Sequence, residues 1–227
     1  MIHIGDRWGK RYDYVRYYLP FRLRFGLKFD HWHNCREALR DPFMYMPDGF
    51  KPMKNEVVWD VGSQFGDFAL IWSKYASKVF AFELDANNYR ELQENLKLNK
   101  ADNVTAFNIA IGNGESIEYT MNGNMANPAI DGIRIKTTRL DDLDFPKPNI
   151  LKIDVEGFEL IVLHGARTLL DEHPIKLIVE THSSDLRKRV DKFLDELEYY
   201  PVYIGRTTKG KEWMDEVTNV FYEKESE

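Results

Sequence analysis

Residues 57–68 read VVWDVGSQFGDF. Val57, Val58 and Trp59 form a short apolar run of strand-forming residues that ends at Asp60. Gly62 and Gly66 then space a turn, after which Phe68, Ile71, Trp72 and Tyr75 recur on one helical face. Strand, glycine turn and helix in that order predict the first unit of a nucleotide-binding α/β sheet. Glycines let the backbone approach a ligand closely, and the new helix presents unpaired N–H groups to it. The spacing is GxxxG rather than the GxGxxG of the dinucleotide fingerprint, so the motif alone names no ligand.

Working outward from this unit toward the C-terminus, the pattern repeats. A helix over 67–76 leads to a strand at 78–82, followed by Glu83 and by Asp85, which is placed to cap a helix over 86–99. A third strand is expected at 104–109. This β-α-β-α-β order predicts a parallel sheet with right-handed crossovers. Residues 112–145 interrupt the rhythm with Gly112, Gly114, Gly123, Pro128 and Gly132, and they read as a β-hairpin insertion built from 116–121 and 133–138. Strand 150–153, helix 158–170, strand 175–179 and helix 184–197 restore the alternation. Two last strands, 199–204 and 216–222, are spaced so that the final one folds back antiparallel beside its predecessor.

At 227 residues and 43% hydrophobic, the chain can fill one core, with a domain at 56–223 behind an extension and connector at 1–55. A net charge of -6 argues against general nucleic-acid binding. The lone Cys35 excludes an internal disulfide framework and points to a reducing compartment. No apolar run approaches the roughly 20 residues of a membrane span, and charges interrupt the N-terminus too often for a signal core. A soluble, cytoplasmic protein is expected. Residues 1–29 carry seven Lys and Arg against two Asp, interleaved with eight aromatics. Such a segment suits an anionic membrane surface, a homo-oligomer contact or a lid; the plainer account is an extension packed on its own domain.

In an open α/β sheet, ligands sit at the carboxyl ends of the strands. Those ends carry Asp60 and Gly62, then Glu83, then 108–111, then Asp154 and Glu156, then Glu180 and His182. Glu83 lies about 20 residues beyond the glycine turn, where a carboxylate accepts the two hydroxyls of a ribose. Lys152, Asp154 and Glu156 alternate at the end of a buried strand, which is costly unless they are paired or coordinate something. Pairing of Lys152 with a neighbouring acid is the structural account of that run. His182 is placed to take a proton from an incoming hydroxyl, or to bind a divalent metal with Asp154 and Glu180.

The pieces VVWDVGSQFGDFAL, VFAFELDANNYRELQENLKLN, NVTAFNIAIGN, TTRLDDL and ILKIDVEGFELIVLHGARTLL followed by LIVETH stand in this order over residues 55–183. On these pieces the chain resembles the FkbM family of S-adenosylmethionine-dependent methyltransferases. The resemblance implies a Rossmann-like class I methyltransferase fold: α/β, a seven-stranded, mostly parallel sheet with an antiparallel last strand and helices on both faces. It implies S-adenosylmethionine as cofactor, with Asp60, Gly62, Gln64 and Gly66 around its methionine part, Glu83 on its ribose, and Asn108, Ile109 and Ala110 near its adenine. Ser63-Gln64-Phe65 stands where the family commonly shows Ala-Asn-Ile. Asp154 would stand by the sulfonium and the acceptor. O-methylation of a sugar or another small hydroxylated metabolite is the activity implied. Two rivals remain open at this point: a catalytically silent binding or assembly protein on the same fold, and an NAD-dependent oxidoreductase, which lacks its GxGxxG.

Overall fold

The computed structural model describes residues 47, 49–123, 125–209 and 216–225. Residues 1–29 and Cys35, with the expectations attached to them, lie outside the described residues.

The opening run becomes β1 (Val57–Val61), the middle of a seven-stranded sheet. Successive residues of a strand point to opposite faces, and here each face is covered. Trp59 and Val61 join Phe80, Phe82, Leu151 and Val179 on one side. Val58 joins Ala69, Trp72, Val79, Ala81 and Leu92 on the other. Continuous apolar strands of this kind need helices on both faces, which the chain supplies.

Those helices are α1 (Asp67–Trp72), α2 (Ala86–Asn99), α3 (Glu159–His164), α4 (Arg167–Glu172) and α5 (Ser184–Asp195). The remaining strands of the large sheet are β2 (Lys78–Glu83), β3 (Val104–Asn108), β7 (Ile150–Ile153), β8 (Lys176–Thr181), β9 (Tyr199–Lys209) and β10 (Glu216–Lys224). Their spatial order is β3-β2-β1-β7-β8-β10-β9, and β10 alone runs antiparallel, to both β8 and β9. The fold is therefore the Rossmann-like α/β sheet with an antiparallel last strand that the sequence predicts. From β1 the chain steps outward to β2 and β3, then returns to the other side of β1 at β7. That reversal opens a crevice above the carboxyl ends of β1 and β7.

Two local expectations change. The single helix expected over 158–170 is two short ones, because Asp141 intervenes. Its backbone N–H donates to Gly165 O, and its carboxylate accepts from the N–H groups of Leu169 at 2.9 Å and Thr168 at 3.3 Å, starting α4 afresh. The insertion holds a third strand beside the two expected: β4 (Ser116–Asn122) pairs with both β5 (Met125–Pro128) and β6 (Ile133–Lys136). This small sheet buries Ile117 and Tyr119 against Phe158, at the start of α3.

Candidate active site

β1 and β7 pair in a register that sets Asp60 opposite Lys152. Lys152 is 2% exposed, with its ammonium 2.9 Å from Asp154 Oδ2 and 3.8 Å from Asp60 Oδ1. The same ammonium lies 4.6 Å from the centre of the Phe68 ring. Burial pulls its pKa down, but Asp154, Asp60 and Glu180 outweigh burial and leave it above the ordinary lysine value. Burial likewise drives Asp154 up, yet Lys152 and His182 hold its carboxyl below the usual range. Asp60 is pushed up by burial, which its more distant contact with Lys152 does not overcome.

The turn after β1 is bound to the end of β2 through one carboxylate. Glu83 Oε2 accepts from the Gln64 N–H at 2.8 Å, and Oε1 accepts from the Asp85 N–H at 2.8 Å. Burial pushes Glu83 up to about 7. Gly62, at φ 84°, comes so close to Asp154 that a Cβ there would overlap the Asp154 carbonyl. The first turn and the end of β7 are thereby packed backbone against backbone.

His182 follows β8 and is buried among acids. Its Nδ1 lies 2.9 Å from Glu159 Oε1, while Nε2 lies 3.3 Å from Glu156 Oε2 and 3.8 Å from Asp154 Oδ1. Burial lowers the imidazole pKa, but the hydrogen bond to Glu159 and the charges of Glu159, Asp154 and Glu156 raise it to about 10. The ring therefore carries its proton at neutral pH. Three facing carboxylates favour the cation, so His182 is placed to donate to them rather than to accept. Glu156 and Glu180 are each pushed up to about 7, with burial the largest cause. Glu180 Oε2 accepts from Asn219 Nδ2 at 3.0 Å.

A cleft, open to solvent, runs over these strand ends. Gly62, Gln64, Glu83, Ile109, Ala110, Asp154 and Glu156 line it, together with Leu84, Val155 and Phe158. The inserted sheet closes one wall with Ile117, Met125 and Ala126.

The methyltransferase FkbM domain model matches residues 60–201. The chain belongs to that family. Hexuronic acid methyltransferase AglP of Haloferax volcanii is 34% identical over 152 residues, 63% of this chain and 63% of the relative. The chain thus spans less than two thirds of that relative's length. Among solved structures, a methyltransferase FkbM from Methylobacillus flagellatus superposes with a TM-score of 0.53 at 20% identity, over 89% of this chain and 58% of the other. A precorrin-6y C5,15-methyltransferase from Geobacter metallireducens gives 0.52 at 18%, over 78% and 84%. At such identities the likeness speaks for the fold.

Within this FkbM domain, the sequence-predicted residues divide. Gly62, Gln64, Glu83, Ile109, Ala110 and Asp154 meet at the cleft. Asp60 lies beneath it, buried against Lys152. Gly66 stands behind the turn against Leu92. Asn108 is exposed and points its amide back at the carbonyls of Glu83 and Leu84, both at 2.9 Å, so it braces the β2 end. Asp154, Glu180 and His182 bring one potential ligand atom each within 4.8 Å of one another. The inserted residues Ile117, Met125 and Ala126 were absent from the sequence-based site, although the alternation Ile117, Tyr119, Met121 marks a buried face. Glu159 was missed too; its signal is an acid two residues after Gly157, in the first turn of α3.

Proposed function

We propose that this FkbM domain is an S-adenosylmethionine-dependent O-methyltransferase whose acceptor is a hydroxyl on a sugar or another small hydroxylated metabolite. The observation that carries it is the meeting of Gly62, Glu83 and Asp154 in one cleft at the sheet's reversal point. The residues present fit the cofactor: a glycine turn against which a backbone-close ligand can lie, a buried carboxylate suited to a diol, and apolar flanks at Leu84, Ile109 and Ala110 for a base. The name of the 34% identical relative supports a sugar-derived acceptor, and the chain's net charge of -6 supports a small molecule over nucleic acid.

Bound there, S-adenosylmethionine would supply an electrophilic methyl group on a cationic sulfonium. The chain's own tasks are alignment and removal of the acceptor proton. Asp154, kept ionised by Lys152 and His182, holds negative charge at the cleft floor. Glu156 lines the same cleft with a pKa pushed up to about 7 and takes the acceptor's proton. Protonated His182 holds Glu156 and Asp154 in place. Proton removal by Glu156 needs no divalent ion in this reading, since Lys152 and His182 place positive charge beside Asp154.

Calorimetry with S-adenosylhomocysteine and with NAD, followed by methyl transfer to a panel of sugars, uronic acids and other hydroxylated metabolites, tests the proposal. Binding of the first ligand and transfer to a panel member are expected. Binding of NAD instead would overturn the reading.

A further inference from the structure

We propose that Glu159 is a positioning residue for the reacting end of the cleft, a role that rests on the methyltransferase reading above. Glu159 is fully buried in the first turn of α3 and does not line the cleft. Three donors converge on its Oε1: the Val155 N–H at 3.2 Å, the Gly157 N–H at 3.0 Å and His182 Nδ1 at 2.9 Å. Its Oε2 is buried with no hydrogen bond among the described residues. One oxygen thus gathers the loop after β7 and the residue after β8.

What that oxygen gathers is strained. Glu156 sits at φ 53° and Gly157 at φ 105°, so two consecutive residues hold left-handed backbone. A non-glycine residue in that region is strained, and persists only where its surroundings over-determine it. The two amides bonded to Glu159 lie on either side of Glu156. That clamp fixes the direction in which Glu156 leaves the backbone toward the cleft. The third bond turns the His182 ring so that Nε2 faces Glu156 and Asp154. Glu159 therefore sets both the backbone and the charged partner of the groups that face the acceptor. The Gln64–Glu83 end of the cleft is joined by its own bond, from the Gln64 N–H to Glu83 Oε2, and makes no hydrogen bond to Glu159 among the described residues.

Two variants separate positioning from general support. Glu159→Gln keeps a carbonyl oxygen for the two amides and loses the charge opposite His182. It should bind S-adenosylhomocysteine with unchanged affinity and KM for the cofactor, while kcat falls by about 100-fold, the scale of a modest misplacement of reacting groups. Glu159→Leu removes the acceptor as well; amide hydrogen exchange at Val155 and Gly157 should accelerate there and remain slow in Glu159→Gln. The proposal is overturned if kcat is unchanged in Glu159→Leu, if exchange at the two amides is unchanged, or if turnover falls only in step with cofactor affinity and melting temperature. A wild-type chain that binds no S-adenosylhomocysteine overturns the methyltransferase reading itself, and the role in turnover with it. Unchanged exchange in Glu159→Leu overturns the clamp even where binding is intact.

Discussion

The Lys152 ammonium sits 2.9 Å from Asp154 Oδ2 inside the sheet, with only 2% of the lysine exposed. It also lies 3.8 Å from Oδ1 of buried Asp60. Removing one partner of a buried ion pair leaves the other's charge uncompensated, at a cost of about 3–5 kcal/mol. Lys152→Met should therefore lower stability by about that amount in urea denaturation. An unchanged midpoint would show that the two carboxylates do not need the ammonium.

Glu83 joins the glycine turn to the end of β2, and its pKa lies at about 7. Its ionised form is the better acceptor for a ribose diol, so affinity for S-adenosylhomocysteine should rise as pH increases through about 7. Glu83→Gln should weaken binding by about 10- to 100-fold, the loss of a charged hydrogen bond worth about 1.5–3 kcal/mol. Calorimetry at two pH values for both proteins checks this; identical affinities throughout would remove Glu83 from the site.

The parts legible in the sequence are those with a strong period or a strong local signal. Val58 and Trp59 alternate between two apolar layers as their pattern predicts, and Asp85 caps α2 by accepting from the Asn87 and Asn88 N–H groups. The antiparallel β10 was legible from the spacing after 199–204. Contacts made across long separations left no such mark. Asp141 ends one helix and starts another from 28 residues away, and no local pattern near 165 announces it. The charge state of His182 depends on three acids from the loop after β7 and from α3, which become its neighbours only once β7 and β8 pair. Residue identity placed it correctly at a strand end and could not say how many carboxylates would face it.

That charge state gives stability a distinct pH dependence. His182 has a folded pKa of about 10 against an ordinary value of 6.5, so the folded chain holds a proton that the unfolded chain has released between them. Its contribution is full below 6.5 and is lost as pH rises through about 10. The urea midpoint should therefore fall over that window, and His182→Gln should flatten the fall. A wild-type profile no steeper than the variant's would contradict the imidazolium.

Because Lys152 and His182 already supply positive charge to Asp154 and Glu180, turnover should be insensitive to chelators. Dialysis against EDTA followed by assay, with and without added magnesium or manganese, measures this. A loss restored by either ion would return Asp154, Glu180 and His182 to the role of metal ligands.

Gly62 and Gly66 both hold left-handed backbone, at φ 84° and 90°, yet they should not respond alike to alanine. A Cβ on Gly66 meets Leu92 Cδ1, the end of a side chain that can rotate away. At Gly62 it meets the backbone carbonyl of Asp154, a residue whose own N–H is tied to Val61 O at 3.0 Å, so that relief requires moving the cleft floor. Backbone incompatibility costs each variant more than about 1 kcal/mol, and Gly62→Ala carries the steric displacement of Asp154 as well. Thermal denaturation and S-adenosylhomocysteine calorimetry should thus rank Gly62→Ala below Gly66→Ala on both readouts, with cofactor binding lost chiefly in the former. The reverse ranking would mean that the approach of the first turn to β7 is not what shapes the site.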